Sequence, residues 1–513
     1  MNASNANDIL VHKVSEAHRR RCITSPRALR SAVIGKPEKM SKDQAVSESA
    51  RISGPVAAPW IDNILFFFLT AATFSLAIPF AGVPDWAQMM YAMAIAVLFL
   101  AWLFTRSRVP DPVPAPFARL WLAFALMFLV WIWAVVQVLD LSFLAHPNWQ
   151  FAANALGQPL GGSISLDRAA SVKELIFLIS LGFLFWLTMQ LGREPRRARL
   201  ALLFFLAAVS LNAVYGIALS VFDIQWILWE QKRDYVSSLT GTFVNRNSFA
   251  TYLGLALVVA IALIMDRAIS TRRPRLSIRQ RLAELLNALF GRSALLIVAG
   301  FVLALALILT QSRAGNVAFV VGFLALIAAF AATGKLRMVF AAAVGALVLI
   351  PGVIVLILSG GGLLGRMDVS TEELSDARLP LFARVWQMVQ DSWATGVGLG
   401  NFRQGFYPYI DDSIMLARSW FSAHSTYLEL MSELGVIFAG ALFVCVALLA
   451  ADCWFGLRRR RRNNVFCVIG VAATGIVAFH SLVDFSLDIP AVAAAYTFLL
   501  ALGVSHAAST RGS

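Results

Sequence analysis

Runs of 18–25 mostly apolar residues recur about twelve times along the chain, near 61–80, 86–104, 118–139, 174–191, 199–222, 247–265, 294–312, 315–332, 338–358, 424–451, 464–481 and 489–507. Each has the length that crosses a hydrocarbon core at about 1.5 Å per residue. Backbone in lipid must satisfy its own hydrogen bonds, so such segments fold as helices and pack against one another. A mean hydropathy of +0.72 with only 14% charged residues excludes a soluble enzyme on a single anchor. The expected fold class is an all-α polytopic membrane protein of about twelve transmembrane helices.

A net charge of +14 invites a nucleic-acid reading, but the placement of the charges argues against it. Only eleven of the 43 lysines and arginines fall in one alternate set of connections: Arg168, Lys173, Lys232, Arg233, Arg246, Arg313, Arg366, Arg378, Arg384, Arg403 and Arg418. The other 32 sit in the N-terminal tail, in "TRSRVP", at Arg119, in "GREPRRAR", 267–292, "GKLR" and "RRRRR", and at the C-terminus. The positive-inside rule makes that set cytoplasmic, with both termini inside. The excess is a topology signal, and no nucleic-acid partner is expected.

Residues 1–59 are polar, basic and poor in aromatics, which reads as a disordered cytoplasmic tail without a signal peptide. The helices of 60–239 precede a second region, 240–507, and residues 508–513 close the chain in the cytoplasm. Ile278, Leu282, Leu285, Leu286 and Leu289 recur at helical spacing among arginines, so 276–290 reads as an amphipathic helix on the inner surface. Cys22, Cys445, Cys453 and Cys467 lie outside any long outer loop, and no structural disulfide is expected. The largest outer segment, 359–423, is too short for a nucleotide-binding domain, "GVGLG" lacks the GxGxxG spacing, and no P-loop occurs. Glu372, Glu373 and Asp376, or Asp411 with Asp412, make no distinctive metal-ligand set. They read as solvated loop charges.

Four polar knots fall on the outer side. "GTFVNRNSFATYL" carries Asn245, Arg246 and Asn247, and "LTQSRAGN" carries Ser312 and Arg313 in a tight turn. "DARLPLFARVWQMV" carries Arg378 and Arg384, and His424 opens the tenth span. Interfacial arginines also snorkel to headgroups. Several converging from distant spans suit a diphosphate, because guanidinium binds phosphate oxygens in a planar two-pronged fashion and offsets charge on a leaving phosphate. A histidine beside them can take a proton from an attacking hydroxyl. His424 is expected in the first turn of a helix capped by Ser422, where the dipole and the arginines keep the ring neutral near pH 7. Tyr427 and Leu428 would share its face. Glu429 and Glu433 are unusual so early in a span, since a charge at a span's centre costs about 2.5–3.5 kcal/mol. Glu433 falls half a turn away and about 13 Å deeper than His424, which points to a structural role. In "HSLVDFSLDIP", His480 and Asp484 are spaced to face each other, more as a pin for the turn than as a second catalytic pair.

These pieces, with "GVGLGNF" and "HSTYLELMSELG", resemble the O-antigen ligase and O-antigen polymerase superfamily of bacterial envelopes, best over about 240–490. Ala394 and Thr395 stand where a proline is frequent in the family, and Ser425 where asparagine is common. The resemblance implies a metal-independent, cofactor-free glycosyltransferase of the inner membrane with its site facing the periplasm. The implied donor is a glycan on undecaprenyl pyrophosphate, and the acceptor a glycan or lipid-A-core hydroxyl. It implies diphosphate ligands at Arg246 and Arg313 and a catalytic or acceptor-positioning role for His424. The large-loop arginine is Arg378 or Arg384, with Arg384 preferred as nearer the glycines. Ligation, polymerisation and transfer to protein hydroxyls share this chemistry. A transporter or flippase of lipid-linked glycans is the rival, and it should show charges or broken helices near the bilayer midplane.

Overall fold

The structure is a computed structural model that describes residues 59–107, 116–270, 294–334, 378–411, 414, 420–460 and 462–508. The tail 1–58, the amphipathic segment 276–290, the ninth expected span 338–358, the acidic loop residues Glu372, Glu373, Asp376 and Asp412, and the C-terminal 509–513 lie outside the described residues.

The described chain is a helical bundle. In order it forms α1 (Pro59–Ser75), α2 (Asp85–Ser107), α3 (Pro116–Val138), α4 (Pro147–Leu156), α5 (Arg168–Leu191) and α6 (Pro195–Val221). A two-strand antiparallel hairpin follows, β1 (Trp226–Ile227) and β2 (Glu230–Gln231). Then come α7 (Arg246–Ser270), α8 (Ala294–Leu309), α9 (Arg313–Ala332), α10 (Arg378–Asp391), α11 (Phe402–Phe406), α12 (Thr426–Leu434), α13 (Val436–Arg459), α14 (Val465–His480) and α15 (Pro490–Ser505). Among the described residues seven helices are long and apolar enough to cross a membrane, and α1, α8, α14 and α15 are shorter apolar helices. Every expected span within the described residues is helical, so this is an all-α multi-pass membrane architecture.

Two differences matter. The tenth span is not one helix. Gly435, at φ +79°, divides α12 from α13, and the Val436 amide turns aside to donate to the Trp393 carbonyl at 2.8 Å. The connections at that end also hold more structure than their composition announced, namely α4, the hairpin and α10 with α11. The last two enclose a small core of Leu381, Val385, Met388, Phe402 and Phe406.

α7 lies at the centre. Of its most apolar stretch 83% is buried, against 22–44% for the other long helices. Apolar residues on every side explain this, because such a helix can be surrounded by others while an amphipathic one cannot. Small residues set the tight crossings around it. A Cβ at Gly322 would meet Ile476 Cγ1 at 2.2 Å, and one at Gly315 would meet Ala250 Cβ at 2.4 Å. Thus α9 lies directly against α14 and α7.

Ion pairs mark the basic end of the bundle. Arg106 Nη2 meets Asp62 at 2.9 Å, Arg199 meets Asp266 at 2.8 Å, and Asp452 lies 3.1 Å from Arg119 and 3.3 Å from Arg459. Arg106, Arg119 and Arg199 staple one helix end to another, while Arg459 pairs within its own helix. The sequence knots lie at the opposite end.

Candidate functional site

Arg246 and Arg313 are the first residues of α7 and α9. A cation at a helix N-terminus opposes the macrodipole, at a cost of about 0.3–1 kcal/mol each. Local capping holds both helix starts in place. Asn245 Oδ1 accepts from the Asn247 amide at 2.7 Å, and Ser312 Oγ accepts from the Gly315 amide at 3.1 Å. Only three residues join α8 to α9, with Gln311 in the left-handed region at φ 56°.

One side chain then ties the two starts together. Ser312 Oγ donates to Asn247 Oδ1 at 2.8 Å, and Asn247 Nδ2 donates to the buried carboxylate of Asp484. Asp484 also accepts from the Phe485 amide at 2.7 Å, and its carbonyl accepts from the Thr426 amide at 3.3 Å, at the start of α12. The network Ser312–Asn247–Asp484–Thr426 therefore places Arg313, Arg246 and His424 around one hydrogen-bonded hub. The N-termini of α7, α9 and α12 share this end, and three positive dipole ends together favour an anion.

His424 does not sit in the first turn, and Ser422 does not cap the helix. α12 begins at Thr426, and Ser425 at its N-cap makes no side-chain cap bond. His424 lies just before it in the left-handed region at φ 51°. The helix-dipole argument for a neutral ring weakens accordingly, since the residue is off the helix. Glu429 reaches back instead. Its Oε2 accepts from Ser422 Oγ at 2.8 Å and from the Ala423 amide at 2.9 Å, while the His424 amide donates to Ser422 Oγ at 3.2 Å. The imidazole packs edge-on to Phe485, centroids 5.2 Å apart, and against Trp420 at 5.8 Å. Sequence reasoning missed this clamp. Its one local signal was an acid in the first turn of α12, where a carboxylate can reach back to groups that precede the helix.

The remaining expected residues divide. Tyr427 donates to the Ala478 carbonyl at 3.0 Å and tethers α12 to α14. His480 does not face Asp484. Its Nδ1 lies 3.0 Å from Thr251 Oγ1 and 2.9 Å from Ser486 Oγ, in a fully buried pocket. The helical backbone does persist, with the Asp484 amide donating to the His480 carbonyl at 2.9 Å, but the ring turns to these hydroxyls while the Asp484 carboxylate turns to Asn247. Arg384 pairs with Asp411, which the sequence reads as a solvated loop charge. The Arg378 side chain lies outside the described residues. Arg246 donates to Ser238 Oγ at 3.0 Å and covers the Tyr235 ring at 5.2 Å. Arg313 is exposed and has no acidic partner among the described residues.

"GVGLGNF" turns out to be scaffold. Its Gly398 amide donates to the Glu433 carbonyl at 3.1 Å, and Phe402 N donates to Glu433 Oε1 at 3.0 Å. A Cβ on Gly396, at φ +65°, would lie 2.1 Å from the Glu433 carbonyl oxygen. These glycines let the loop meet the end of α12. Among the described residues no group of three or more His, Cys, Asp or Glu is arranged to hold a metal ion.

Residues 297–444 match the family model described as O-antigen ligase. The match falls within the part of the chain whose motifs resemble the O-antigen ligase and polymerase superfamily, and supports that resemblance. No curated protein matches the chain. The O-antigen ligase region contains Ser312, Arg313, Arg384 and His424, whereas Arg246, Asn247, His480 and Asp484 lie outside the matched residues. Ser312 and Thr426, inside the matched residues, nonetheless donate to Asn247 Oδ1 and to the Asp484 carbonyl, which lie outside them. The match supports glycan transfer with glycan and lipid-linked substrates in general.

Proposed function

We propose that the protein transfers a glycan from an undecaprenyl-pyrophosphate donor to an acceptor hydroxyl at the periplasmic face of the inner membrane. The observation that carries this reading is the exposed Arg313 beside the hub. An arginine at a helix start, with no carboxylate partner among the described residues, is a cation held ready for an anion from outside the chain. Arg246 and Arg313 grip the diphosphate, with Arg384 or Arg378 from the large loop as a further ligand. The acceptor oxygen attacks the anomeric carbon as the bond from that carbon to the diphosphate oxygen breaks. His424 takes the hydroxyl proton, and undecaprenyl pyrophosphate leaves with its added charge met by the arginines. Asn245, Asn247, Ser312, Asp484, His480 and Tyr427 keep the helix ends in register. No step in this scheme calls for a metal or cofactor.

The test replaces Arg246, Arg313 or His424 singly, confirms expression, and measures surface glycan together with the lipid-linked pool. Loss of transfer predicts lipid-linked glycan accumulating on the periplasmic leaflet. Accumulation on the cytoplasmic leaflet would refute transfer in favour of flipping. Single attached repeats identify a polymerase, complete unattached chains a ligase, and loss of glycan from protein a protein O-glycosylating enzyme.

A further inference from the structure

The connection between α6 and α7 encloses a cleft of about 310 Å³. Its floor is the last turn of α6, with Gly216 and Ser220, one wall is the hairpin with Trp226, and the other runs from Val236 to Gly241. The walls are fixed in advance. The Leu228 amide in the hairpin turn donates to Tyr215 Oη at 2.9 Å, and Ile227 is buried beneath it. On the far wall the Leu239 amide donates to the Leu309 carbonyl at 3.2 Å. Gly241, at φ +56°, allows that wall to close on Asn212, whose Oδ1 lies only 2.2 Å from where a Cβ would stand.

Ser238 joins this cleft to the arginine site. It lines the cleft, is itself buried, accepts Lys232 Nζ at its carbonyl, and accepts Arg246 Nη1 at its hydroxyl, 3.0 Å away. A second cleft of about 320 Å³, lined by His146, Asp391 and Tyr409, shares no residue with either arginine site. In a sugar diphosphate the anomeric carbon is one oxygen from phosphorus, so the first sugars must lie beside whatever holds the diphosphate. The lining matches them better than a prenyl chain. Asp223, Gln225, Lys232 and several hydroxyls face the cleft, and half-exposed Trp226 offers an aromatic face to a sugar's C–H surface. The volume is at the lower end for ligand pockets, about 300–1,000 Å³, which fits a short saccharide segment and not a polymer.

We propose that this cleft is a saccharide subsite for the sugar units nearest the diphosphate of a lipid-linked donor; this rests on the diphosphate reading of Arg246. The test uses the full chain in nanodiscs and measures binding by thermophoresis. The probes are bare undecaprenyl pyrophosphate, the same lipid bearing the repeat unit extracted from producing cells, and the oligosaccharide released from it by mild acid. Trp226→Ala removes the aromatic face, and Ser220→Trp fills the cleft from an exposed position. Both should weaken binding of the glycan-bearing lipid about tenfold and leave the bare lipid unchanged. Variants that weaken both lipids equally, or neither, overturn the subsite. Native protein that binds neither lipid overturns the diphosphate reading instead. The released oligosaccharide then decides the subsite: binding lost in Ser220→Trp upholds it, and no binding to native protein overturns it.

Discussion

Asn247→Ala removes the side chain on which three segments of the site converge. The native amide accepts from Ser312 at 2.8 Å and donates to the buried carboxylate of Asp484. A neutral buried hydrogen bond contributes about 1 kcal/mol and one to a charged group about 1.5–3 kcal/mol, so the expected loss is about 2.5–4 kcal/mol. At about 2 °C per kcal/mol, the thermal midpoint should fall by about 5–8 °C. Cys445, Cys453 and Cys467 are buried and free. A thiol-reactive dye therefore reports unfolding, in a Cys22→Ser background that removes the thiol of the tail. Double-mutant cycles isolate each bond: coupling of about 1 kcal/mol is expected between Asn247→Ala and Ser312→Ala, and about 1.5–3 kcal/mol between Asn247→Ala and Asp484→Ala. A midpoint within about 1 °C of native, with additive cycles, would show that the hub does not hold the helix ends together.

Arg313→Ala should do the reverse of Asn247→Ala. Its side chain is exposed, so stability should change by less than about 0.5 kcal/mol while transfer falls about 100-fold or more, read from the lipid-linked pool. Gly396→Ala forces a Cβ to within 2.1 Å of the Glu433 carbonyl at φ +65°, and should reduce the yield of folded protein on gel filtration. Glu433→Gln keeps an acceptor for the Phe402 amide and should retain transfer at normal expression, whereas Glu433→Leu should cost about 1–3 kcal/mol in the thiol-dye assay. Loss of transfer in a well-folded Glu433→Gln protein would make that carboxylate chemical rather than structural.

Among the described residues, the positions of the spans and the end at which basic residues gather were legible in the sequence. Both are local properties: an apolar run of bilayer length leaves its backbone one way to satisfy itself, and charge collects in the connections. The grouping of Arg246, Arg313 and His424 at one end followed from counting spans. Their connection did not. Asn247 meets Ser312 across 65 residues and Asp484 across 237, through helix crossings set by Gly315 and Gly322, and no local period encodes such a meeting. The same holds for the break at Gly435, the left-handed His424 held by Glu429, and His480 turning to Thr251 and Ser486 instead of Asp484. Each depends on which neighbour can supply a hydrogen bond to a buried polar group, and only the packed bundle determines which neighbours are present.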